Sequence, residues 1–174
     1  MCGRFLNRIP AAETARIFGT KNALPNYPAR FNIAPTQGVL TVRFNPETHE
    51  RSLNVLRWGL VPLWASNLAF GNRCINARSE TVQRAPAFHD AFKGRRCIIP
   101  ASGFYEWKKI GNAKQPMAIV PTDEPLFAFA GLWENWRDKA GGESAEWVRT
   151  CTILIFGNAD SGLPGQQARQ QPAR

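Results

Sequence analysis

Cys2 has the most distinctive chemistry in this sequence, because it directly follows the initiator Met1. A small side chain at position 2 permits removal of the initiator methionine, which would make Cys2 the mature N-terminus. Its α-amine, with a pKa of about 7.7–8.0, would then be partly neutral near physiological pH. Such an amine can condense with an aldehyde to an imine, and the neighbouring thiol can then close a five-membered thiazolidine ring. The alternative is that Cys2 is an early residue with no chemical role.

A second candidate cluster is the polar segment at residues 76–80, which reads Asn-Ala-Arg-Ser-Glu. On an extended segment, Asn76 and Arg78 point to the same side. There they can bind a sugar oxygen and a phosphate together, since arginine contacts to phosphate are bidentate and charge-assisted. The alternative is a surface loop that ends in a helix cap at Ser79.

The third candidate is Glu106, in the segment Gly-Phe-Tyr-Glu-Trp-Lys at residues 103–108. Flanking aromatic rings can desolvate a carboxylate and tune it for general acid–base work. The alternative is a strand on which Glu106 faces solvent while Tyr105 and Trp107 pack inward.

The charge balance favours an anionic partner. The chain has 22 Lys and Arg against 13 Asp and Glu, a net charge of +9. An abasic deoxyribose opens to an aldehyde, so DNA that carries one would satisfy both the charge and the chemistry of Cys2. RNA, a phosphorylated ligand or an acidic membrane surface fits the charge equally well. Basic and aromatic residues interleave as in single-strand binders, although aromatic side chains in a small domain more often form its core; the examples are Arg4-Phe5, Arg57-Trp58, Trp64 and Arg73.

The remaining cysteines point to a reduced, intracellular protein. Cys74, Cys97 and Cys151 form no CxxC pair and lie far from both histidines, so their spacing predicts free thiols and no zinc site. No apolar run is long enough to span a bilayer, and the first residues lack the features of a secretory signal. We therefore expect a cytoplasmic, DNA-associated monomer that does not engage a membrane and needs no metal or cofactor.

The elements that must position these residues are mainly short strands. The length of 174 residues and the apolar content of 44% suit one globular domain. Helices are predicted at residues 10–18 and 86–93, each followed by glycine. Strands are predicted at residues 39–44, 52–58, 95–99, 103–108, 117–120, 126–132 and 147–156, with a hairpin turn at Gly111-Asn112. The pattern predicts an α+β domain on a curved, barrel-like, mainly antiparallel sheet with a few flanking helices.

Several segments, taken in order, resemble the SOS response-associated peptidase (SRAP) family. They are residues 1–5 (Met-Cys-Gly-Arg-Phe), 31–35 (Phe-Asn-Ile-Ala-Pro), 57–62 (Arg-Trp-Gly-Leu-Val-Pro), 75–80 (Ile-Asn-Ala-Arg-Ser-Glu), 96–100 (Arg-Cys-Ile-Ile-Pro), 103–107 (Gly-Phe-Tyr-Glu-Trp), 129–133 (Phe-Ala-Gly-Leu-Trp) and 150–154 (Thr-Cys-Thr-Ile-Leu). The resemblance covers residues 1 to about 155. It implies an α+β, barrel-like fold with a positively charged groove for single-stranded DNA.

The resemblance also implies a role in the DNA damage (SOS) response. Met1 would be removed by the domain itself or by an aminopeptidase, and Cys2 would form a thiazolidine crosslink with an abasic site. The implied site roles are a sugar-positioning Asn76, a proton-shuttling Glu106, the phosphate-binding Arg4 and Arg78, and a base-stacking Trp64. One alternative is a thiol peptidase that uses Cys2 on its own N-terminus or in trans. Another is a catalytically impaired remnant that only binds single strands.

The sequence departs from the family pattern near its end. The family continues with a further strand and a His-Asp-Arg-Met-Pro segment, whose His belongs to the active site. Here residues 155–158 read Ile-Phe-Gly-Asn, and no histidine follows His89. A truncated or frame-shifted copy would read this way. We therefore expect an incomplete SRAP domain at residues 1–156 and a disordered, aberrant tail at residues 157–174.

Two consequences are expected from that departure. Missing strands would expose a sheet edge and favour aggregation. A missing histidine would remove one of two proton carriers, each worth about 10²–10⁴-fold in rate. Crosslink formation needs Cys2 and is expected to survive, whereas release of the crosslink is expected to be impaired.

Overall fold

The computed structural model of this protein describes residues 2–156 and 168–172. Within these residues, eleven strands account for most of the regular structure, and the helices are short. In chain order the elements are β1 (Phe5–Asn7), α1 (Ala11–Phe18), β2 (Arg30–Ile33), β3 (Gly38–Asn45), β4 (Glu50–Trp58), a 3-10 helix (Leu68–Arg73), β5 (Asn76–Arg78), α2 (His89–Gly94), β6 (Arg96–Ala101), β7 (Gly103–Ile110), β8 (Ala113–Pro121), β9 (Phe127–Trp136), a second 3-10 helix (Lys139–Ser144), β10 (Val148–Ile155) and β11 (Ala168–Pro172). No helix among these is long and apolar enough to cross a membrane.

Five strands close into a barrel in the order β4-β3-β6-β9-β10. The neighbours within this order are antiparallel, and the barrel closes through a parallel pairing of β10 with β4, in which Cys151 opposes Trp58. The short β5 adds to β10, also in parallel. The barrel is therefore mixed, and its closing seam brings residues 57–59 beside the middle of β10.

The other five strands form an antiparallel sheet in the order β11-β8-β7-β1-β2. The β7–β8 hairpin turns at Gly111-Asn112, where Gly111 has φ +58°, as the sequence predicted. Phe5 of β1 lies directly opposite Phe104 of β7. Both rings pack this sheet onto the barrel. Between ring centroids, Phe5 lies 5.1 Å from Trp58 and 5.7 Å from Phe129, and Phe104 lies 6.0 Å from Phe127.

Helix α1 covers the outside of the barrel. Its buried alanines pack with Leu40, Val42 and Leu53, which lie on β3 and β4. Pro10 precedes the helix, and Gly19 ends it in the left-handed conformation that glycine adopts without strain. This agrees with the predicted helix at residues 10–18.

The predicted α+β, barrel-like architecture is confirmed, although the short strands β1, β2 and β5 were not among the predicted strands. Two further differences concern α2 and the C-terminal residues. Helix α2 begins at His89 instead of residue 86, because residues 86–88 form a turn. Residues 168–172, expected to lack secondary structure, instead form β11, which pairs with β8 from Ala168↔Pro121 to Pro172↔Met117. A sheet edge offers unpaired backbone groups to any segment that can reach it, and residue periodicity does not reveal such pairing. Residues 157–167 and 173–174 lie outside the described residues, so there the predicted disorder stays a prediction.

Candidate active site

Cys2 is buried where the antiparallel sheet meets the barrel. The residue is 7% exposed and belongs to the same cluster as Phe5 and Trp58. The thiol donates to the carbonyl oxygen of Arg4 at 3.7 Å. Burial is the main cause that raises the pKa of the Cys2 thiol to about 12, so it is protonated at neutral pH.

Strand β1 determines where Cys2 lies. Phe5 pairs with Ile33 on one side and Phe104 on the other, so β1 is held between β2 and β7. The backbone N–H of Tyr105 donates to the carbonyl oxygen of Arg4 at 2.9 Å, which extends this pairing toward Cys2. Phe5 is 1% exposed, and truncating so buried a phenylalanine costs about 3–5 kcal/mol. The N-terminal segment that carries Cys2 is therefore continuous with a firmly anchored strand.

Asn76 makes a direct contact with residue 2. Its side-chain Nδ2 donates to the carbonyl oxygen of Cys2 at 2.8 Å. The carbonyl oxygen of the preceding Ile75 accepts from Trp58 Nε1 at 2.8 Å and from the backbone N–H of Ile153 at 3.1 Å, which fixes the start of β5. Oδ1 of Asn76 is buried and has no hydrogen-bond partner among the described residues. A buried acceptor without a donor is costly, and a donor on a bound ligand would relieve that cost.

Glu106 lies on β7, two residues after Phe104. Alternation along the strand places both on one face, and Phe104 packs against Phe127 and Phe129 of the barrel. Burial is the largest cause of the raised pKa of the Cys2 thiol, and the negative charge of Glu106 raises that pKa further. The alternative in which Trp107 packs inward is wrong, because Trp107 is 43% exposed. Tyr105, on the same face as Trp107, donates through its hydroxyl to the carbonyl oxygen of Phe31 at 2.7 Å.

Arg4 is held by a residue that sequence reasoning did not assign. Its Nη1 donates to Oδ1 of Asn32 on β2 at 2.8 Å. Asn32 lies in the segment at residues 31–35 that resembles the SRAP family, and this resemblance was the one sign in the sequence that Asn32 belongs near the site. The contact orients the Arg4 guanidinium on the surface beside β1, two residues from Cys2.

Arg78 and Trp64 lie on segments that flank Asn76 in the chain. Arg78 is exposed at the end of β5, and its same-face position with Asn76 agrees with the predicted extended segment. The helix cap proposed for Ser79 is wrong, since residues 79–84 form turns and the Ser79 N–H donates to the carbonyl oxygen of Ile155. Trp64 is 50% exposed and packs edge-on against Phe70. No hydrogen bond within the described chain joins Cys2 to Trp64 or Arg78.

An aromatic and cationic surface surrounds Trp64. The Arg73 guanidinium stacks over Phe70 at 4.2 Å, and Arg57 Nη2 donates to Oδ1 of Asn72 at 3.1 Å. A shallow cleft of about 500 Å³ lies along this surface. Exposed aromatic rings suit the bases of a single strand, and guanidinium groups that form no ion pair with a described carboxylate suit its phosphates.

The geometry therefore gathers a thiol, an amide and a carboxylate around the N-terminal segment. Cys2 and Asn76 are joined directly, and Glu106 acts on Cys2 through its charge. Within residues 2–156 and 168–172, no three His, Cys, Asp or Glu side chains come together in a way that holds a metal ion. The fold and site define an α+β barrel protein with a cysteine-centred site where its second sheet joins the barrel.

Comparison with known proteins assigns the family. The model of the SOS response associated peptidase (SRAP) family matches residues 1–163, and the chain belongs to this family. The chain is 41% identical over 157 residues to the abasic site processing protein YoqW of Bacillus subtilis, an alignment that covers 88% of this chain and 67% of YoqW. It is 32% identical over 137 residues to the abasic site processing protein HMCES of Gallus gallus, covering 65% of this chain and 39% of HMCES.

Solved structures share the fold. A protein from Bacteroides thetaiotaomicron superposes with a TM-score of 0.77 at 23% identity, over 89% of this chain and 68% of that one. A phage-related protein from Bordetella bronchiseptica gives a TM-score of 0.67 at 26% identity, over 98% of this chain and 78% of that one.

The expected loss of crosslink release stays a prediction.

Proposed function

We propose that this chain captures abasic sites in single-stranded DNA by forming a thiazolidine between the deoxyribose aldehyde and Cys2. The observation that carries the proposal is the hydrogen bond of 2.8 Å from Asn76 Nδ2 to the Cys2 carbonyl oxygen, which holds residue 2 in one place. Its bacterial and vertebrate relatives are named abasic site processing proteins, which supports the same substrate class.

The proposed reaction balances with the loss of one water molecule. After Met1 is removed, the neutral α-amine of Cys2 adds to the C1′ aldehyde, and the resulting carbinolamine loses water to give an imine. The thiol then adds across the C=N bond: sulfur bonds to carbon, and nitrogen takes up the proton. The product is a five-membered ring with no net oxidation or reduction. Holding amine and thiol on adjacent carbons makes ring closure intramolecular, which favours it strongly.

Asn76 and Glu106 would assist from two sides. The unpartnered Oδ1 of Asn76 is suited to accept a hydrogen bond from the α-amine or from a hydroxyl of the opened sugar. Glu106, whose charge already acts on Cys2, would carry protons during carbinolamine formation and dehydration, a role worth about 10²–10⁴-fold in rate. Arg4 and Arg78 would bind flanking phosphates, and Trp64 would stack on a base.

The test mixes the purified chain with a single-stranded oligonucleotide that carries one abasic site, followed by a denaturing gel. A slower band is expected with the natural chain and not with Cys2→Ala. Cys2→Ser is the matched control, because it places a hydroxyl where the thiol was and, like Cys2→Ala, keeps the α-amine. It should give an adduct that survives the gel only after borohydride reduction of the imine. An equal amount of stable adduct from Cys2→Ala would overturn the proposal.

A second oligonucleotide separates covalent capture from simple binding. A tetrahydrofuran abasic analogue has no aldehyde and should bind without forming a crosslink. Salt-dependent binding of this strand, with no crosslink to the true abasic site, would instead identify the chain as a binding remnant. We further propose that the protein acts in the cytoplasm as a monomer.

The peptidase alternative has less support from the site. A thiol peptidase needs a thiolate, whereas burial keeps the Cys2 thiol protonated at neutral pH while Met1 is in place. In thiazolidine formation the amine attacks first, so the reaction does not begin with a thiolate. Mass spectrometry of the purified chain, with and without the Cys2→Ala change, would show whether loss of Met1 depends on this thiol.

A further inference from the structure

Two arginines lie on the inner face of the barrel, at the end away from Cys2. Side chains alternate between the two faces of a strand. Arg43 lies four residues after Val39 on β3, and Arg149 is two residues before the buried Cys151 on β10. Val39 and Cys151 both belong to the buried cluster inside the barrel. Both arginines therefore point inward at this end, Arg43 half-buried and Arg149 exposed.

Three further inward side chains complete one layer around Arg43. Its guanidinium stacks over the Trp133 ring at 4.5 Å, and its Nε and Nη2 donate to Oδ1 of Asn54 at 3.1 and 2.9 Å. Cys97 pairs with Arg43 across β3 and β6, and the charges of Cys97 and Arg149 both act on Arg43. Each barrel strand thus contributes one residue to this layer, which we call the barrel mouth: Asn54, Arg43, Cys97, Trp133 and Arg149.

Arg43 is held in a fixed orientation and still has N–H donors to offer. Trp133 covers one face of its guanidinium, while Ser52 Oγ donates to Oδ1 of Asn54 at 2.9 Å and so holds the amide that Arg43 contacts. Nη1 of Arg43 and Nδ2 of Asn54 make no hydrogen bond within the described chain. Neither is among the buried side-chain atoms that lack a partner, so solvent reaches both donors.

The two arginines repel each other without a compensating carboxylate. Burial is the largest cause that lowers the pKa of Arg43, and the positive charge of Arg149 lowers that pKa further. No carboxylate of the described residues forms an ion pair with either arginine. Like charges held together without a counter-charge are unfavourable, and an anion bound between them would relieve the repulsion.

The barrel mouth is separate from the Cys2 site. Asn76, which contacts Cys2, pairs with Ile153 of β10. Arg149 lies four residues earlier on that strand, which corresponds to about 13 Å. The buried Cys151 lies between the two levels. A ligand at the barrel mouth therefore does not share the Cys2 site.

We propose that the barrel mouth binds a phosphate group between Arg43 and Arg149, with the Asn54 amide as a further donor. Arginine offers phosphate a planar pair of N–H donors. The oxygens of a tetrahedral phosphate face several directions, so they accept from donors on β3, β4 and β10 at once. A planar carboxylate, in contrast, is satisfied by a single guanidinium. The inference does not depend on crosslinking at Cys2.

Two sources would supply this phosphate group, namely free inorganic phosphate and the terminal phosphate of a mononucleotide. Trp147 directly precedes β10 at this end of the barrel and is 55% exposed. The guanidinium of Arg137, which directly follows β9, stacks over its ring at 5.0 Å. An exposed aromatic ring accepts any base, so a nucleotide would place its base on Trp147.

The test titrates inorganic phosphate into the full chain, with chloride keeping the ionic strength constant. NMR follows the Arg43 Nε–Hε and Trp133 indole signals, which should both shift and saturate at millimolar concentrations or below. Arg149→Ala should weaken binding at least about fivefold, because it removes one of the two guanidinium groups. Phosphate should also raise the urea midpoint of the natural chain more than that of Arg149→Ala, since a ligand of the folded state stabilises it.

The matched control is Arg96→Ala. Arg96 precedes Cys97 on β6, so it lies at the same end of the barrel but on the outer face, where it stacks over Phe92 at 5.3 Å. This change removes the same charge and should leave phosphate binding unaltered. The proposal is overturned if phosphate does not move the Arg43 signal, or if Arg96→Ala weakens binding as much as Arg149→Ala does.

Deoxyadenosine monophosphate identifies the source of the phosphate group. Tighter binding than that of inorganic phosphate, with the difference lost in Trp147→Ala, indicates a nucleotide. Equal or weaker binding of the nucleotide indicates free phosphate.

Discussion

At the scale of single residues, Asn76 connects the N-terminal segment to the barrel through its contact with the Cys2 carbonyl oxygen. We predict that Asn76→Ala slows crosslink formation about two- to tenfold, because one lost hydrogen bond is worth about 0.5–1.5 kcal/mol. Single-turnover adduct formation on an abasic strand, followed on a denaturing gel, measures this rate. Asn112→Ala, in the exposed β7–β8 turn, is the matched control and should react like the natural chain. Equal rates for both variants would remove Asn76 from the proposed site.

The Cys2 thiol offers a second residue-scale prediction. In the chain that retains Met1, a pKa of about 12 against an ordinary 9.0 lowers the thiolate fraction at pH 8 about a thousandfold. Iodoacetamide should therefore label Cys2 very slowly in the folded chain, and faster as the pH rises toward 12. Mass spectrometry of the N-terminal peptide measures the rate, with the urea-unfolded chain as reference. Equal labelling of folded and unfolded chains would contradict the buried position of Cys2.

At the scale of elements, the backbone after β4 passes close to the backbone of the 3-10 helix before β5, and both segments have a glycine at this crossing, Gly59 and Gly71. Gly59 has φ +126°, and a Cβ there would lie 2.6 Å from the carbonyl oxygen of Gly71. We predict that Gly59→Ala lowers the free energy of unfolding by about 2 kcal/mol or more, since backbone strain of about 1–3 kcal/mol adds to the clash. Urea denaturation measures the loss.

The matched control for that prediction is Gly94→Ala. A Cβ at Gly94 meets nothing within 4 Å, and its φ is not positive. This change should leave stability unaltered or raise it by about 0.4–1 kcal/mol, through the lower entropy of the unfolded chain. Similar losses for both variants would show that the crossing is not the cause. Because β5 carries Asn76, a shifted crossing should also slow crosslinking.

At the scale of the whole molecule, the buried thiols make stability depend on pH. Burial raises the pKa of Cys151 to about 12 and holds that of Cys97 well above 9.0. Unfolded thiols ionise near pH 9, while folded Cys151 stays protonated up to about pH 12 and folded Cys97 stays protonated well above pH 9. The contribution of these thiols to stability should therefore be constant below pH 8. It should fall above pH 9 by about 1.4 kcal/mol per pH unit for each thiol that is ionised in the unfolded chain and protonated in the folded one, which for Cys151 extends to about pH 12. Denaturant unfolding at a series of pH values checks this.

Cys151→Ala separates this effect from general alkaline unfolding. The variant has one titrating thiol fewer, so the slope above pH 9 should decrease by about 1.4 kcal/mol per pH unit, although the absolute stability is lower. An unchanged slope would mean that Cys151 does not titrate differently in the folded and unfolded chains.

The sequence by itself determined the local elements and the candidate residues. The helix at residues 10–18 follows from Pro10 and Gly19, and the β7–β8 turn follows from Gly111-Asn112, because these residues restrict or permit backbone conformations locally. The ordered motifs predicted the family and the barrel-like fold. The functional groups of Cys2, Asn76 and Glu106 predicted the chemistry of the site, which is aldehyde capture with assistance from an amide and a carboxylate.

Only the tertiary structure decided which of these residues meet. Asn76 is 74 residues from Cys2 in the chain, and their contact depends on β5 adding to β10 in parallel. The sequence did not determine which face of β7 packs on the barrel, because alternation along a strand defines two faces without saying which one is buried. The strand at residues 168–172 and the stacking of Arg43 on Trp133 likewise arise from pairings and packing between distant segments. Such contacts depend on the closure of the whole barrel, which local residue preferences do not encode.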